Sequence, residues 1–188
     1  EIRDNVKLWR KESPMVVKFW YGLQDAATKA IQDPGTYNAY RDITYIMRGD
    51  VLFCKLPSGR YLHYHSPRLE AGETSWGKPT LEITYMGHNS DSKKGPVGWF
   101  RLRTWGGKLA ENVTQAVARD LLTFAMPLVE AGGYPIVMHV HDELISEVTA
   151  GYGTIKEYEQ LMGSLPDWAA DWPVKAAGGW RGQRYRKD

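Results

Sequence analysis

The stretch that most constrains this chain runs from residue 36 to residue 104. "ITYIMRGDVLFCKLPSGRYLHYHS" and "LEITYMG…VGWFRLRTW" are rich in β-branched and aromatic residues, which fit a pleated, half-buried surface better than a helix. Pro57-Ser58-Gly59 and the polar stretch from His88 to Gly95 interrupt those runs, as turn-forming residues do. The pattern predicts about four strands in two hairpins, with a loop from Arg68 to Lys78.

Helical patterning flanks this block. Residues 2–11 and 14–32 read as helices, with Ser13 as cap and Pro14 at the first helical position. Val16, Phe19, Trp20, Leu23, Ala27 and Ala30 recur at three and four, an apolar stripe. Asp33-Pro34-Gly35 stops that helix. After Gly106-Gly107 a long helix is expected over 108–126, with Pro127 ending or kinking it. A strand–turn–strand over 135–148 follows, then a helix near 153–163, a short strand near Pro173 to Ala177, and a basic tail. Helices, strands, helix, hairpin, helix is the order of an α+β fold rather than of alternating βα units. No linker or repeat divides the 188 residues, which predicts a single domain over 1–188.

Composition excludes some classes. No apolar run approaches the roughly 20 residues of a membrane span, and no basic-then-apolar leader is evident. The one cysteine, Cys54, has no partner for an internal disulfide, which suits a reducing cytoplasm. The chain begins at Glu1 rather than at methionine, as a processed product or an excised piece would. The net charge of +2 says little about partners. Its distribution says more: Lys175, Arg181, Arg184, Arg186 and Lys187 crowd the last residues, with Trp180 and Tyr185 between them. Such a tail suits either a solvated terminus or a strand that tracks phosphates.

Two features bear chemistry. On the long helix, Leu109, Val113, Val117, Leu121, Phe124 and Leu128 form an apolar stripe, and Lys108, Glu111, Asn112, Gln115 and Arg119 form a polar one. The polar stripe is either a solvated face or a row of groups that reads groove edges, sugars and phosphates. In "PIVMHVHDELISEV", apolar arms surround His141, Asp142 and Glu143. Alternation places His139 and His141 on one strand face, with Ile136, Met138 and Val140 on the other. Buried unpaired charge is costly, so the reading is a hairpin with core arms and Asp142-Glu143 exposed at its tip. An acidic turn without chemistry, a His-x-His-Asp transition-metal site and a magnesium site for phosphoryl chemistry all fit this spacing.

"VHDELISEV" resembles motif C of the family A (Pol I-like) DNA polymerases, where a Val-His-Asp-Glu turn sits in the palm. "TWGGKLAENVTQAVARDLL" is similar to the helix before that motif in phage and prophage members. "LWRKESPMVVKFWYGLQDAATKAI" resembles the segment after the family's fingers helix, and "LPSGRYLHYHSPRL" and "GWRGQRYRK" resemble the phage branch. These segments lie in the family's order along nearly the whole chain.

The resemblance implies a palm-type antiparallel sheet whose hairpin carries the carboxylates. Residues 1–35 would follow the fingers, 36–104 would form the β-hairpin region, and 105–188 the palm helix, motif C hairpin and basic tail. Asp142 would be a catalytic carboxylate binding Mg2+, and Glu143 its acidic neighbour. His141 would lie near the primer 3′ end. Gln115 would touch the primer–template minor groove, whose acceptors are nearly the same for every base pair. Lys108, Asn112, Glu111, Arg119, Arg181 and Arg184 are further DNA-contact candidates. Glu111 and Gly107 stand where the bacterial pattern has an Asn and an Arg, and His139 stands where it has a Gln.

Family A polymerases use two metals roughly 3.5–4 Å apart, bridged by a second aspartate from motif A. Neither motif A nor the fingers helix is found here; Asp42 in "YRDITYI" only faintly echoes motif A. The expectation is a C-terminal palm portion of a template-directed polymerase, inactive by itself. Its partners would be primer–template DNA, dNTP and an upstream portion with motif A, fingers and thumb, acting in a bacterial cytoplasm or a phage-infected host. The rivals are a non-catalytic duplex-binding module and a metal-dependent nuclease built on His141, Asp142 and Glu143.

Overall fold

The computed structural model describes residues 2–73, 77, 79–90, 92, 93 and 95–185. Helix α1 spans Ile2–Glu12 and α2 spans Pro14–Gln32, as the periodicity predicts. Ser13 sits at the cap position, yet its side chain makes no capping hydrogen bond. Backbone bonds carry the junction instead: Ser13 N–H donates to Trp9 O at 2.9 Å, and Ser13 O accepts from Val17 N–H at 3.3 Å. The buried face of α2 is Leu23, Ala26, Ala27 and Ala30, while Val16 is exposed. Small residues bring this helix close to the sheet. A Cβ on Gly22 would lie 2.3 Å from the Tyr40 ring, so only glycine fits there.

Six strands follow as an antiparallel meander in chain order. They are β1 (Asn38–Tyr40), β2 (Ile43–Arg48), β3 (Val51–Lys55), β4 (Tyr61–Glu73), β5 (Pro79–Asn89) and β6 (Gly98–Thr104). Two hairpins were too few, and β4 shows why. It runs through Arg68 to Glu73, a segment whose Glu, Ala and Gly favour strands poorly. Pairing overrides propensity: Leu69 opposes Ile83, which is fully buried. A bulge between His65 and Arg68 carries the strand past Pro67, which has no N–H for the ladder. The rest of the expected loop, residues 74–76 and 78, lies outside the described residues.

Register places Tyr45, Leu52, Cys54 and Tyr64 on one sheet face, all buried. Tyr40, against Gly22 of α2, belongs to this face too. Asn112 Nδ2 donates to Tyr64 Oη at 3.1 Å, and Gln24 Oε1 accepts from Gly106 N–H at 2.8 Å.

The chain divides into two compact units, Glu1–Thr114 and Gln115–Asp188. Helix α3, Gly106–Ala131, starts in the first and continues in the second. Gly106 and Gly107 lie inside it, and Pro127 does not end it. Leu109, Val113 and Val117 are buried as expected, but Phe124 is exposed, and Ala125 and Val129 are buried in its place. The buried line follows every fourth residue. Each such step overshoots a full turn by about 40°, so the line drifts round the axis.

In the second unit, β7 (Ile136–Val140) pairs with β8 (Glu143–Ser146). Helix α4 (Ile155–Met162) and a short 3-10 helix (Asp167–Ala169) follow. Thr154 caps α4: its side chain accepts from Glu157 N–H at 3.1 Å, the first half of a capping box. Val129, Tyr134 and Leu144 form the core, with Leu122, Met126 and Leu161 packed around it. The strand expected near Pro173 to Ala177 is irregular chain. Val174 N–H turns back to Trp172 O at 2.8 Å, and Gly179 N–H donates to Glu159 Oε1 at 2.9 Å, so local and helix contacts replace a strand partner. Among the described residues no helix is long and apolar enough to cross a membrane.

Candidate functional site

The carboxylate hairpin is tighter than its sequence suggests. Val140 pairs with Glu143, leaving His141 and Asp142 as a two-residue turn. The tip is therefore His141-Asp142, one residue earlier than expected, and Glu143 is already strand. His141 takes φ 53°, whereas Asp142 is not in the positive-φ region. Those are the signs of the primed turn whose twist matches a hairpin, usually built with glycine first.

Two other hairpins in the molecule close in the same way. Arg41-Asp42 links β1 to β2 with φ 52° at Arg41, and Gly49-Asp50 links β2 to β3 with φ 55° at Gly49. An aspartate follows the left-handed residue each time.

The arms are less buried than a core reading requires. Leu144 is buried, and Ile136, Val140 and Ile145 are half-buried, but Val137 and Met138 are exposed. The cause is a register shift between Ile136 and Met138. Cross-strand partners share a face, so Ile136 and His139 lie with Ser146 and Leu144, while Met138 and Val140 lie with Ile145 and Glu143. The expected grouping of Ile136 with Met138 and Val140 fails because the bulge reverses the alternation.

His141, Asp142 and Glu143 are all exposed. Glu143 Oε2 accepts from Tyr185 Oη at 3.0 Å. That bond to a carboxylate raises the Tyr185 pKa, because the phenol would lose its acceptor on ionising. At its other end the hairpin is anchored by Ser146, whose Oγ donates to Tyr134 O at 3.1 Å and meets Tyr158 Oη at 3.0 Å. Tyr134 Oη donates to Glu157 Oε2 at 2.7 Å and accepts from Thr154 N–H at 3.1 Å. Sequence reasoning missed this tyrosine network. The signal was Tyr185 among the basic residues of the tail, and that pattern pointed toward phosphates or a solvated terminus rather than toward Glu143.

The polar stripe of α3 does not present itself whole. Lys108 Nζ pairs with Glu111 at 2.9 Å, and Asn112 is half-buried on Tyr64. Gln115 and Arg119 are exposed. In the tail, Arg181 donates to Tyr152 O, Arg184 is exposed, and Arg186 and Lys187 lie outside the described residues.

Asp142 offers a hard oxygen donor at an exposed apex, which fits a hard cation such as magnesium. Among the described residues no group of three or more His, Cys, Asp or Glu side chains is placed to hold a metal ion. The His-x-His-Asp arrangement is therefore not assembled, nor is one from His141, Asp142 and Glu143. The hairpin thus presents one exposed carboxylate at its apex, Asp142, with Glu143 bonded to Tyr185 beside it.

No protein-family model matches the chain, and no solved structure matches it. Over all 188 residues it is 39% identical to a "DNA polymerase" of Bacillus phage SP02. The chain spans 28% of that protein's length and is thus similar, from end to end, to a part of a phage DNA polymerase.

Proposed function

We propose that this chain is the C-terminal palm portion of a family A DNA polymerase of the phage type, and that β7–β8 is its motif C hairpin. The observation that carries the reading is the exposed apex at Asp142 in a chain 39% identical to a phage DNA polymerase. The parent reaction is template-directed transfer of a deoxynucleotide to a primer 3′ end with release of pyrophosphate.

In this reading Asp142 would hold magnesium together with a motif A carboxylate from outside the chain. Bound there, magnesium supplies charge stabilisation and a more nucleophilic oxygen for phosphoryl transfer. Glu143 contributes negative charge beside the site while Tyr185 fixes its carboxylate. His141 faces the primer terminus. Gln115 and Arg119, exposed on α3, contact the duplex; Asn112, bonded to Tyr64, braces the helix instead.

The purified chain should not extend a primed template, because it carries one metal ligand where the reaction needs carboxylates from two strands. In the full-length polymerase, Asp142→Ala should abolish extension and leave the circular dichroism spectrum unchanged. Extension by the isolated chain would overturn the first expectation. Extension by the Asp142→Ala polymerase would remove Asp142 from the chemistry. Salt-dependent primer–template binding with no extension, even when the upstream portion is added, would favour a non-catalytic duplex-binding module.

A further inference from the structure

One face of the six-stranded sheet is closed by the core; the other is unlike an ordinary solvated face. Paired residues share a face, so the register of β3 to β6 can be read across it. Phe53 pairs with His63, and His88 pairs with Trp99. His63 and His88 each lie two positions from the paired His65 and Met86, which puts all four rings on this side. Phe53 meets His63 edge-on at 4.9 Å, and His88 meets Trp99 at 6.1 Å. Trp99 is 63% exposed, and His63 and His88 are exposed. A large ring held on a strand with most of its surface in water contributes little to the fold.

Charge on the same face is mostly positive. Lys55 lies beside Tyr61, and Arg68, Thr84 and Arg103 form one cross-strand row. Lys55, Arg68 and Arg103 are exposed. Their counterweight is the cross-strand pair Glu70 and Glu82, with Glu82 at 3.2 Å from Arg103. Arg101 is used internally: its Nη1 donates to Ser66 O at 3.0 Å and to Thr84 Oγ1 at 3.2 Å. The rings thus form one cross-strand row, with Lys55 on one side of it and Arg68 and Arg103 on the other, on strands that lie roughly 4.8 Å apart.

We infer that this face binds single-stranded nucleic acid, with bases stacked on Trp99, His88, His63 and Phe53 and phosphates tracked by Lys55, Arg68 and Arg103. Flat π-faces accept any base, and fixed cations accept any backbone, so binding is tolerant of sequence. A duplex keeps its bases stacked on each other and offers no face to these rings. The surface belongs to the first unit and the Asp142 hairpin to the second, and the inference does not depend on that reading.

The test is fluorescence anisotropy of the full 188-residue chain with a labelled mixed-sequence DNA strand of about 20 nucleotides, and with the same sequence as a duplex. The single strand should bind, and its binding alone should depend on the rings of the sheet. Trp99→Ala should weaken single-strand binding by roughly five- to tenfold. Arg68→Gln should lower the slope of log affinity against log salt by about 0.7 for the phosphate contact removed. Far-UV circular dichroism checks that both variants fold. Single-strand affinity unchanged in both variants, or a loss on Trp99→Ala as large for the duplex as for the single strand, would overturn the inference. So would a chain that binds no strand but self-associates, with Trp99→Ala restoring the monomer. Strand binding by this chain and extension by the Asp142→Ala polymerase are independent measurements, so either idea can fail alone.

Discussion

The left-handed residue at the hairpin tip gives a prediction that the structure lets us size. An L-residue with a Cβ costs about 1–2 kcal/mol in the left-handed region. Glycine has no such cost but loses about 0.4–1 kcal/mol through the extra freedom of its unfolded chain. His141, at φ 53° and exposed, should therefore gain roughly 0.5–1 kcal/mol on His141→Gly. His141→Val should lose about 1 kcal/mol or more, since β-branching is worst where φ is positive. Gly49 is the internal control. It has φ 55°, and a Cβ there would meet nothing within 4 Å, so Gly49→Ala should cost about 1 kcal/mol from backbone alone. Urea unfolding followed by circular dichroism reads all three. If His141→Gly destabilised by more than about 1 kcal/mol, the imidazole would be holding the fold, and the reasoning from turn geometry would be wrong. If the variant is stable but the polymerase carrying it binds primer–template poorly, the imidazole is present for its contacts and the strain is tolerated for function.

Two further predictions concern the frame around the site. Thr154→Ala removes the side-chain acceptor of Glu157 N–H and should cost about 1 kcal/mol, seen as a lower urea midpoint; no change would mean that water replaces the cap. Stability should also fall in alkali: burial pushes the Cys54 thiol from 9.0 to about 12, so the unfolded chain deprotonates first and stability present below pH 9 is lost between pH 9 and about 12. The full shift corresponds to roughly 4 kcal/mol. Burial also raises Tyr45 and Tyr64, which adds to the loss above pH 10. Cys54→Ala should flatten the fall between pH 9 and 10, and an unchanged slope there would refute the thiol's part.

What could be read in advance was whatever depended on local chemistry. The two N-terminal helices, the turn at Gly59, the long α3 and the helix near 155–162 follow from periodicity, proline and capping residues. Long-range pairing was hidden. β4 extends to Glu73 only because β5 lies alongside it, and nothing in "RLEAGE" announces that partner. The bulges at Ser66-Pro67 and at Val137 each shift a strand by one residue. One such shift reverses every later side chain, which is why His139 and Ile136 share a face against expectation. Glu143 was assigned to the tip because apolar arms, Ile136 to Val140 and Leu144 to Val148, bracket the carboxylates. The backbone instead puts the strain on His141, a residue type that tolerates it better than most.

The hairpin's anchoring bears on what its tip can do. Ser146, at the end of β8, is tied to Tyr134 and Tyr158, and Tyr134 is tied in turn to the cap of α4. Leu144 enters the core two residues after Asp142. Tyr185 takes the carboxylate next to Asp142. Only His141 and Asp142 extend beyond these restraints, and a two-residue turn leaves them little backbone freedom. A carboxylate carried on a short, restrained turn and open to solvent needs little backbone rearrangement when charge develops near it. Such preorganisation makes an electrostatic ligand effective. Of the Asp-Glu pair, Glu143 is held by Tyr185, and Asp142 stands exposed at the apex.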